Sequence, residues 1–386
     1  MESRTKPLRV VLWGTYDTGK PRVRLIRKAL AAANIELVEI HADVWGDLED
    51  KSQLTGLLPR MKRLLRWISA YPRLLRQYRR APEHDAVIIG YLGHLDVQVI
   101  HRAARKRGVP IVWDAFLSLY DTVVLDRKLI TPSHPAARLI RALEARACRC
   151  ADKVVLDTEA QAALFRDFYQ LPECRTGAVM IGAEPEMFRT TPYRRTDRKD
   201  RTKILFYGQF IPLHGIETIV RAAQLTKSRP IDWVIIGKGQ EEPRIRKLIE
   251  ADPPEALEWI PWVPYGELAD RIRSADICLG VFGTTEKAGR VIPNKVFQIL
   301  AAGAPLITRD GPAIRELLAP GMTGVRLVPP GDPEAIVRAI DELAASNERR
   351  APEGARRRFE LPNLGREWRT IVEELIRENE VASPTE

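Results

Sequence analysis

The chain has 386 residues, 45% hydrophobic and 29% charged, with a formal net charge of +10. That length exceeds one ordinary core and fits two domains of nearly 200 residues each, while the composition is ordinary for a soluble globular protein. No apolar run approaches the roughly 20 residues that span a bilayer, no signal-like segment opens the chain, and four scattered cysteines (Cys148, Cys150, Cys174, Cys278) exclude a disulfide scaffold and read as reduced thiols of a cytosolic protein.

In chain order, the first half reads as strands at Arg9–Gly14, Glu36–Ile40, Ala86–Gly90, Pro110–Asp114, Lys153–Asp157 and Ala178–Gly182. The second half repeats the programme at Lys203–Gly208, Asp232–Gly237, Leu257–Pro261, Asp276–Val281, Pro305–Thr308 and Val325–Val328. These runs are apolar on both faces and alternate with helical patterns, which suits buried parallel strands in two doubly wound α/β sheets. Between the halves, "TPYRRTDRKDRTK" is a linker by composition. Near the end, Asn363 reads as the N-cap of a helix with an apolar stripe of Trp368, Ile371, Val372, Leu375 and Ile376.

The charge is unevenly distributed: residues 1–191 carry +9, 192–203 carry +4 and 204–386 carry −3. The basic half points to an anionic surface or partner. Its most basic stretch, Lys51 to Pro82, contains no acidic residue. Leu57, Met61, Leu64, Leu65 and Ile68 recur there at helical spacing, with Pro59 and Pro72 expected to limit any one helix to about three turns. One reading is a core-packing helix with a solvated basic face. Another is a segment, Lys51 to Arg80, that docks on an anionic membrane with Trp67 at the interface. Nucleic acid is a third, but no nucleic-acid module accompanies the stretch.

The first turn, Gly14-x-x-x-x-Gly19-Lys20, is one residue short of a P-loop. Pro21 lacks the hydroxyl for Mg²⁺ and the N–H for the phosphate cradle, but suits the first turn of a helix. The turn therefore reads as the first βα unit of a doubly wound domain, with Gly14 and Arg22 at the end of the strand where such a sheet binds its ligand. Ligands of such sheets bind beyond the carboxyl ends of strands. The second half supplies glycine turns there: Gly208 followed by His214-Gly215, Gly237 with Gly239, and the helix start Pro293-Asn294-Lys295 with Gln298 one turn on. A helix N-terminus with free N–H groups and a lysine suits a diphosphate.

The pieces "ILFYGQFIPLHGIETIVRAA", "VIIGKGQ", "WVPYGELADRIRSADICLGVF", "PNKVFQILAAGAPLIT" and "IRELLAPGMTGVRLVPPGDPEAIVRAI" resemble, in order, the nucleotide-sugar-binding domain of glycosyltransferase family 4, enzymes of the GT-B fold. "DAFLSLYDTVVLDRKL" and "CADKVVLDTEAQ" extend the likeness into the first half. The resemblance implies two Rossmann-like domains facing each other across a cleft. Residues 1–191 would bind the acceptor, 192–203 link, and 204–360 bind the nucleotide sugar, with a 361–380 helix packing back on the first domain. It implies transfer of a hexose-type sugar from a nucleotide-diphosphate sugar to a glycan or lipid-linked acceptor in polysaccharide biosynthesis. A lipid-linked acceptor would put the protein on the inner face of a membrane.

The chain departs from the family at Gln209 and His214, where an arginine and a lysine usually face the diphosphate. It departs again at Arg290, with Glu286 four residues earlier, and at Gln298, where the family tends to have glutamates eight positions apart. Gln298 keeps the ability to bond ribose hydroxyls, since an amide donates and accepts. The resemblance assigns Asp114, Glu286 and Lys295 to catalysis. It assigns Gly14, Gly208, Gln209, His214, Gly237, Arg290, Asn294, Gln298 and Glu316 to donor binding. Family 4 membership implies retention. The Lys-x-x-Gln pattern, however, is similar to that of some inverting GT-B enzymes, which would make Asp114 a base, and the substitutions also fit a catalytically weakened scaffold. No cofactor or metal is expected, since protein cations and helix dipoles stabilise the leaving diphosphate in many such enzymes.

Overall fold

The structure, a computed structural model, describes residues 7–44, 57–189, 201–346 and 353–382. The chain divides into two compact units: residues 1–121, 130–181 and 361–386 form the first, and 122–129 with 182–360 form the second.

The first unit runs β1 (Arg9–Gly14), α1 (Pro21–Ala32), β2 (Glu36–His41), α2 (Leu57–Arg79), β3 (Ala86–Ile89), α3 (His94–Arg105), β4 (Ile111–Phe116), α4 (Pro135–Cys150), β5 (Lys153–Leu156), α5 (Glu159–Tyr169) and β6 (Thr176–Ala178). Its six strands are parallel, in the order β2-β1-β3-β4-β5-β6. Runs such as β3, buried on both faces, require helices above and below. Pro21 opens α1 at its first position, where its missing N–H costs nothing. Thr158 caps α5 by accepting from the Gln161 amide at 3.1 Å. Trp13 and Trp113 fill the core between sheet and helices.

The second unit runs β7 (Thr202–Tyr207), α6 (Ile216–Leu225), β8 (Ile231–Ile236), α7 (Glu242–Ala251), β9 (Leu257–Ile260), α8 (Leu268–Arg273), β10 (Ile277–Leu279), α9 (Glu286–Arg290), α10 (Asn294–Ala302), β11 (Leu306–Arg309), α11 (Pro312–Leu317), β12 (Val325–Val328), α12 (Pro333–Ala345) and α13 (Glu353–Arg358). Its parallel order is β12-β11-β10-β7-β8-β9. Phe206, Trp233 and Phe282 lie in its core. The last helix, α14 (Leu361–Ala382), packs on α1 of the first unit: Arg369 Nη2 donates to the Ala33 carbonyl at 2.8 Å, and Trp368 is buried.

All twelve strands expected from the sequence are present, with differences of detail. The strand expected at Ala178–Gly182 lies earlier, as β6, and β7 begins inside the expected linker, whose residues 192–200 lie outside the described ones. Asn363 lies inside α14 instead of capping it. The basic segment is one 23-residue helix, α2, that continues through Pro72. Burial explains why: Tyr71, Leu74 and Tyr78 enter the core on one face, offsetting the hydrogen bond lost at the proline. Leu65 and Ile68 are instead 63% and 53% exposed, while the side chains of Leu57, Met61 and Leu64 lie outside the described residues.

Candidate functional site

In an open parallel sheet the ligand crevice opens where strand order reverses. In the first unit that point is between β1 and β3, beside Gly14. The crevice is already filled. Asp96, in the first turn of α3, accepts from the Thr15 amide at 2.7 Å, from Thr15 Oγ1 at 2.9 Å and from Tyr71 Oη at 2.7 Å. Trp67 Nε1 closes over it by donating to Thr15 Oγ1 at 2.7 Å. Burial raises the Asp96 carboxyl above its ordinary value. Gly14 has φ +131, and a Cβ there would lie 2.2 Å from Asp96 Oδ2. Gly14 is thus spaced for an internal carboxylate.

Asp114 is likewise enclosed by its own chain. It sits at a register irregularity between β4 and β5, is 0% exposed, and is held by Arg22 of α1. Arg22 Nη2 lies 2.7 Å from Oδ1, and Nε lies 3.1 Å from both oxygens. Arg22 Nη1 donates to the Val179 carbonyl at 2.6 Å, and its guanidinium lies 5.7 Å from the Trp368 ring. Burial raises the Asp114 carboxyl, opposed by the arginine charge. A general base must reach the proton it removes, and this carboxylate is committed to Arg22.

The second unit reverses strand order between β7 and β10, and here the crevice is lined by polar groups. Gly208 ends β7 with φ +146; a Cβ on it would lie 2.7 Å from Lys295 Nζ and 3.0 Å from His214 Cε1. The absent side chain exposes the Gly208 backbone to both basic groups. Lys295, in the first turn of α10, is 4% exposed, and its amine has no hydrogen-bond partner among the described residues. It lies 3.8 Å from the Phe206 ring centroid. Burial pushes the amine well below the ordinary lysine range.

His214 is buried as well. Its Nδ1 meets the Gln209 carbonyl, which can only accept, so the proton sits on Nδ1 and Nε2 carries a lone pair. Burial first, and then the Lys295 charge, push this imidazole well below its ordinary value. No side chain caps α6 or α10, so their first N–H groups add donors to the same edge.

Gln298 sits one turn beyond Lys295, with Oε1 accepting from Tyr207 Oη and Nε2 donating to Tyr265 Oη, both at 2.9 Å. Asn294 begins α10, and Gly237 follows β8. Gln209 is exposed and accepts from Arg127 Nη2 at 3.3 Å. Glu286, 89% exposed in its side chain, pairs with Arg290 along α9 at 2.8 Å, so its visible partner is a cation of its own helix. Glu316 is half-buried on α11.

Sequence reasoning missed Tyr207, Tyr265, Glu184 and residues 122–129. Only Tyr207 had a local signal, as the last residue of a strand before a glycine turn. The segment 122–129, which begins within a π-helical turn, Asp121–Asp126, belongs to the second unit. Thr285 Oγ1 donates to Asp126 Oδ1 at 2.8 Å, Gln240 Nε2 donates to the Arg127 carbonyl at 2.9 Å, and Lys287 Nζ donates to Thr122 Oγ1. A cavity of about 530 Å³ at this edge is lined by Arg127, Gly215, Thr218, Gln240 and Thr284 among others. Another, of about 590 Å³, opens at the amino ends of β7 to β9, the edge where such sheets do not bind ligands. Among the described residues no group of His, Cys, Asp or Glu is placed to hold a metal ion. No helix among them is long and apolar enough to cross a membrane.

Residues 18–179 match a family model described as glycosyl transferase 4-like domain, and residues 201–346 match glycosyl transferases group 1. The probable glycosyltransferase WbjE of Pseudomonas aeruginosa is 27% identical over 224 residues, 54% of this chain and 53% of that protein. The D-inositol 3-phosphate glycosyltransferase of Thermobispora bispora is 26% identical over 234 residues, 56% and 53% of the two chains. The chain thus spans about half the length of these curated relatives. Anabaena HepE, solved in complex with UDP, superimposes with a TM-score of 0.65 at 13% identity, covering 95% of this chain and 100% of that one. The lipopolysaccharide outer core galactosyltransferase WaaB superimposes with a TM-score of 0.63, also at 13% identity, covering 96% and 99%. At such identities these structures speak for the fold alone.

Proposed function

We propose that this chain, which belongs to the family 4 type of GT-B glycosyltransferases, moves a hexose-type sugar from a nucleoside-diphosphate sugar to a hydroxyl of a glycan or lipid-linked glycan. The observation that carries the reading is the Lys295 amine: buried, without a hydrogen-bond partner among the described residues, and close to the Gly208 backbone where the strand order reverses. A diphosphate supplies the counter-charge that this amine lacks. As the sugar leaves, negative charge grows on the diphosphate, and protonated Lys295 with the N-termini of α6 and α10 stabilises it. Gln298 offers its amide to ribose hydroxyls. HepE was solved with UDP, which makes a uridine donor the first to try.

Retention of anomeric configuration fits best. The carboxylate expected as an inverting base, Asp114, is enclosed by Arg22, whereas in retention the leaving diphosphate itself helps to take the acceptor proton. The reading extends to an anionic membrane surface as the partner of α2. Supporting it, Leu65 and Ile68 stand exposed beside Lys62, Arg66, Arg73 and Arg76 on a helix without acidic residues. Each such cation contributes about 1 kcal/mol near an anionic bilayer.

The test is a thermal-shift screen of UDP, GDP, ADP and their sugars, followed by product analysis with the best binder. If none of the three nucleotides raises the melting temperature, the transferase reading fails.

A further inference from the structure

Behind the diphosphate site, four side chains from separate parts of the second unit form one polar chain. The Glu184 carboxylate, 2% exposed, accepts from Tyr265 Oη at 2.6 Å. Tyr265 Oη accepts from Gln298 Nε2 at 2.9 Å, and Gln298 Oε1 accepts from Tyr207 Oη at 2.9 Å. Phe188, also buried, meets the Tyr265 ring edge-on at 5.9 Å and limits its movement.

Chemistry sets the direction of this chain. A carboxylate accepts and does not donate, so Tyr265 commits its one proton to Glu184 and presents a lone pair to Gln298. Gln298 must then turn its nitrogen to Tyr265 and its oxygen to Tyr207. Without that anchor the two ends of an amide exchange at little cost, and the group presents no fixed pattern to a ligand.

We propose that Glu184 is a positioning residue. Acting through Tyr265, it locks the Gln298 amide so that the remaining N–H and the remaining oxygen lone pair form a fixed donor–acceptor pair for the two ribose hydroxyls of the donor. The proposal rests on the reading that Gln298 faces a nucleotide. A vicinal diol suits such a pair, because one hydroxyl accepts from the amide nitrogen while the other donates to the oxygen. The lock also accounts for an amide serving where the family tends to have glutamate: a glutamate accepts at both oxygens, whereas glutamine needs an external group to decide which end is which.

The experiment is calorimetric titration of the full chain with UDP and with 2′,3′-dideoxy-UDP, or with the GDP or ADP pair should that nucleotide bind better in the thermal-shift screen. Wild type is expected to prefer the ribonucleotide about tenfold, the order set by two neutral hydrogen bonds. In Glu184→Gln the new amide can donate to Tyr265, so the polarity is no longer fixed. In Tyr265→Phe the chain is cut. Both variants are expected to reduce the preference to about twofold or less by weakening the ribonucleotide alone, as Gln298→Ala does.

A purely structural role weakens both nucleotides equally and leaves the ratio unchanged, and that result overturns the proposal. A wild-type ratio near one overturns it as well. Failure of the wild type to bind any of the three nucleotides overturns the proposed function and this inference with it, an outcome distinguishable because it appears before any substitution is made. Should Glu184→Gln fail to fold, Tyr265→Phe decides alone.

Discussion

Arg22 and Asp114 form a closed pair between α1 and β4, 2.7 Å apart at Nη2 and Oδ1, with side-chain exposures of 3% and 0%. The same guanidinium reaches the carbonyls of Val179 and Met180 just after β6 and lies near Trp368 of α14. One arginine therefore joins the first helix, a central strand, the chain beyond the edge strand and the last helix. Its role is cohesion of the first unit.

Removing one partner of such a pair leaves a buried charge uncompensated, which costs roughly 3–5 kcal/mol. Arg22→Met is expected to lower stability by that order, and Arg22→Met with Asp114→Asn to recover part of it. Urea unfolding measures both. Equal destabilisation by the single and double variants would show that the pair is not the cause.

Lys295→Met is expected to weaken nucleoside-diphosphate binding by about 10- to 100-fold, the loss of one or two charge-assisted hydrogen bonds worth roughly 1.5–3 kcal/mol each. The fold should hold, because a thioether suits the face of Phe206. Lys20→Ala, on the P-loop-like turn, should leave binding unchanged. Titration calorimetry of the two variants separates the sites, and a reversed order of effects would move the nucleotide to the first unit.

The free protein holds Lys295 and His214 well below their ordinary pKa values through burial. A bound diphosphate favours their charged forms, so the complex holds more protons than the free protein. Affinity is then expected to fall as pH rises through the window from the lowered lysine value towards 10.5. Titration at pH 8 in buffers of different ionisation heat should show net proton uptake, lost in Lys295→Met. Zero uptake in wild type would mean that the amine is already charged when empty.

Gly14→Ala is expected to destabilise the protein by about 2–4 kcal/mol, since it combines a strained φ with an overlap on the Asp96 carboxylate. Nucleotide affinity, normalised to folded protein, should not change. Thermal unfolding alongside the nucleotide titration tests this, and a selective loss of affinity would return Gly14 to the donor site.

Vesicles containing phosphatidylserine should co-float with the wild-type chain. Flotation should fall with Leu65→Ser plus Ile68→Ser, and fall further with Arg73→Glu plus Arg76→Glu. Absence of wild-type flotation with anionic vesicles would reduce α2 to a packing helix with a solvated basic face.

The legibility of this protein divides along the reach of each interaction. Strand β1 was readable to the residue, and the start of α10, with Lys295 in its first turn, was readable from Pro293. The long α2 was not, because Pro72 is a local veto that the burial of Tyr71, Leu74 and Tyr78 overrides. Gln298 was legible as a candidate, but not the groups bonded to it: Tyr265 lies 33 residues away in sequence and Glu184 a further 81.

By itself the sequence determined the twelve strands, their alternation with helices, the repeated α/β programme and the glycine turns at the strand ends. Each depends on residues a few positions apart, and periodicity and turn chemistry act at that range. Only the tertiary structure decided which charges are occupied. Asp114 and Arg22 are 92 residues apart, and Asp96 and Thr15 are 81 apart. Folding commits those carboxylates to an arginine and to a backbone turn, while it leaves the Lys295 amine buried without a hydrogen-bond partner among the described residues. A carboxylate at a strand end looks the same in sequence whether it awaits a substrate or has been closed by an arginine. The difference is burial and proximity, which exist only once the chain has folded.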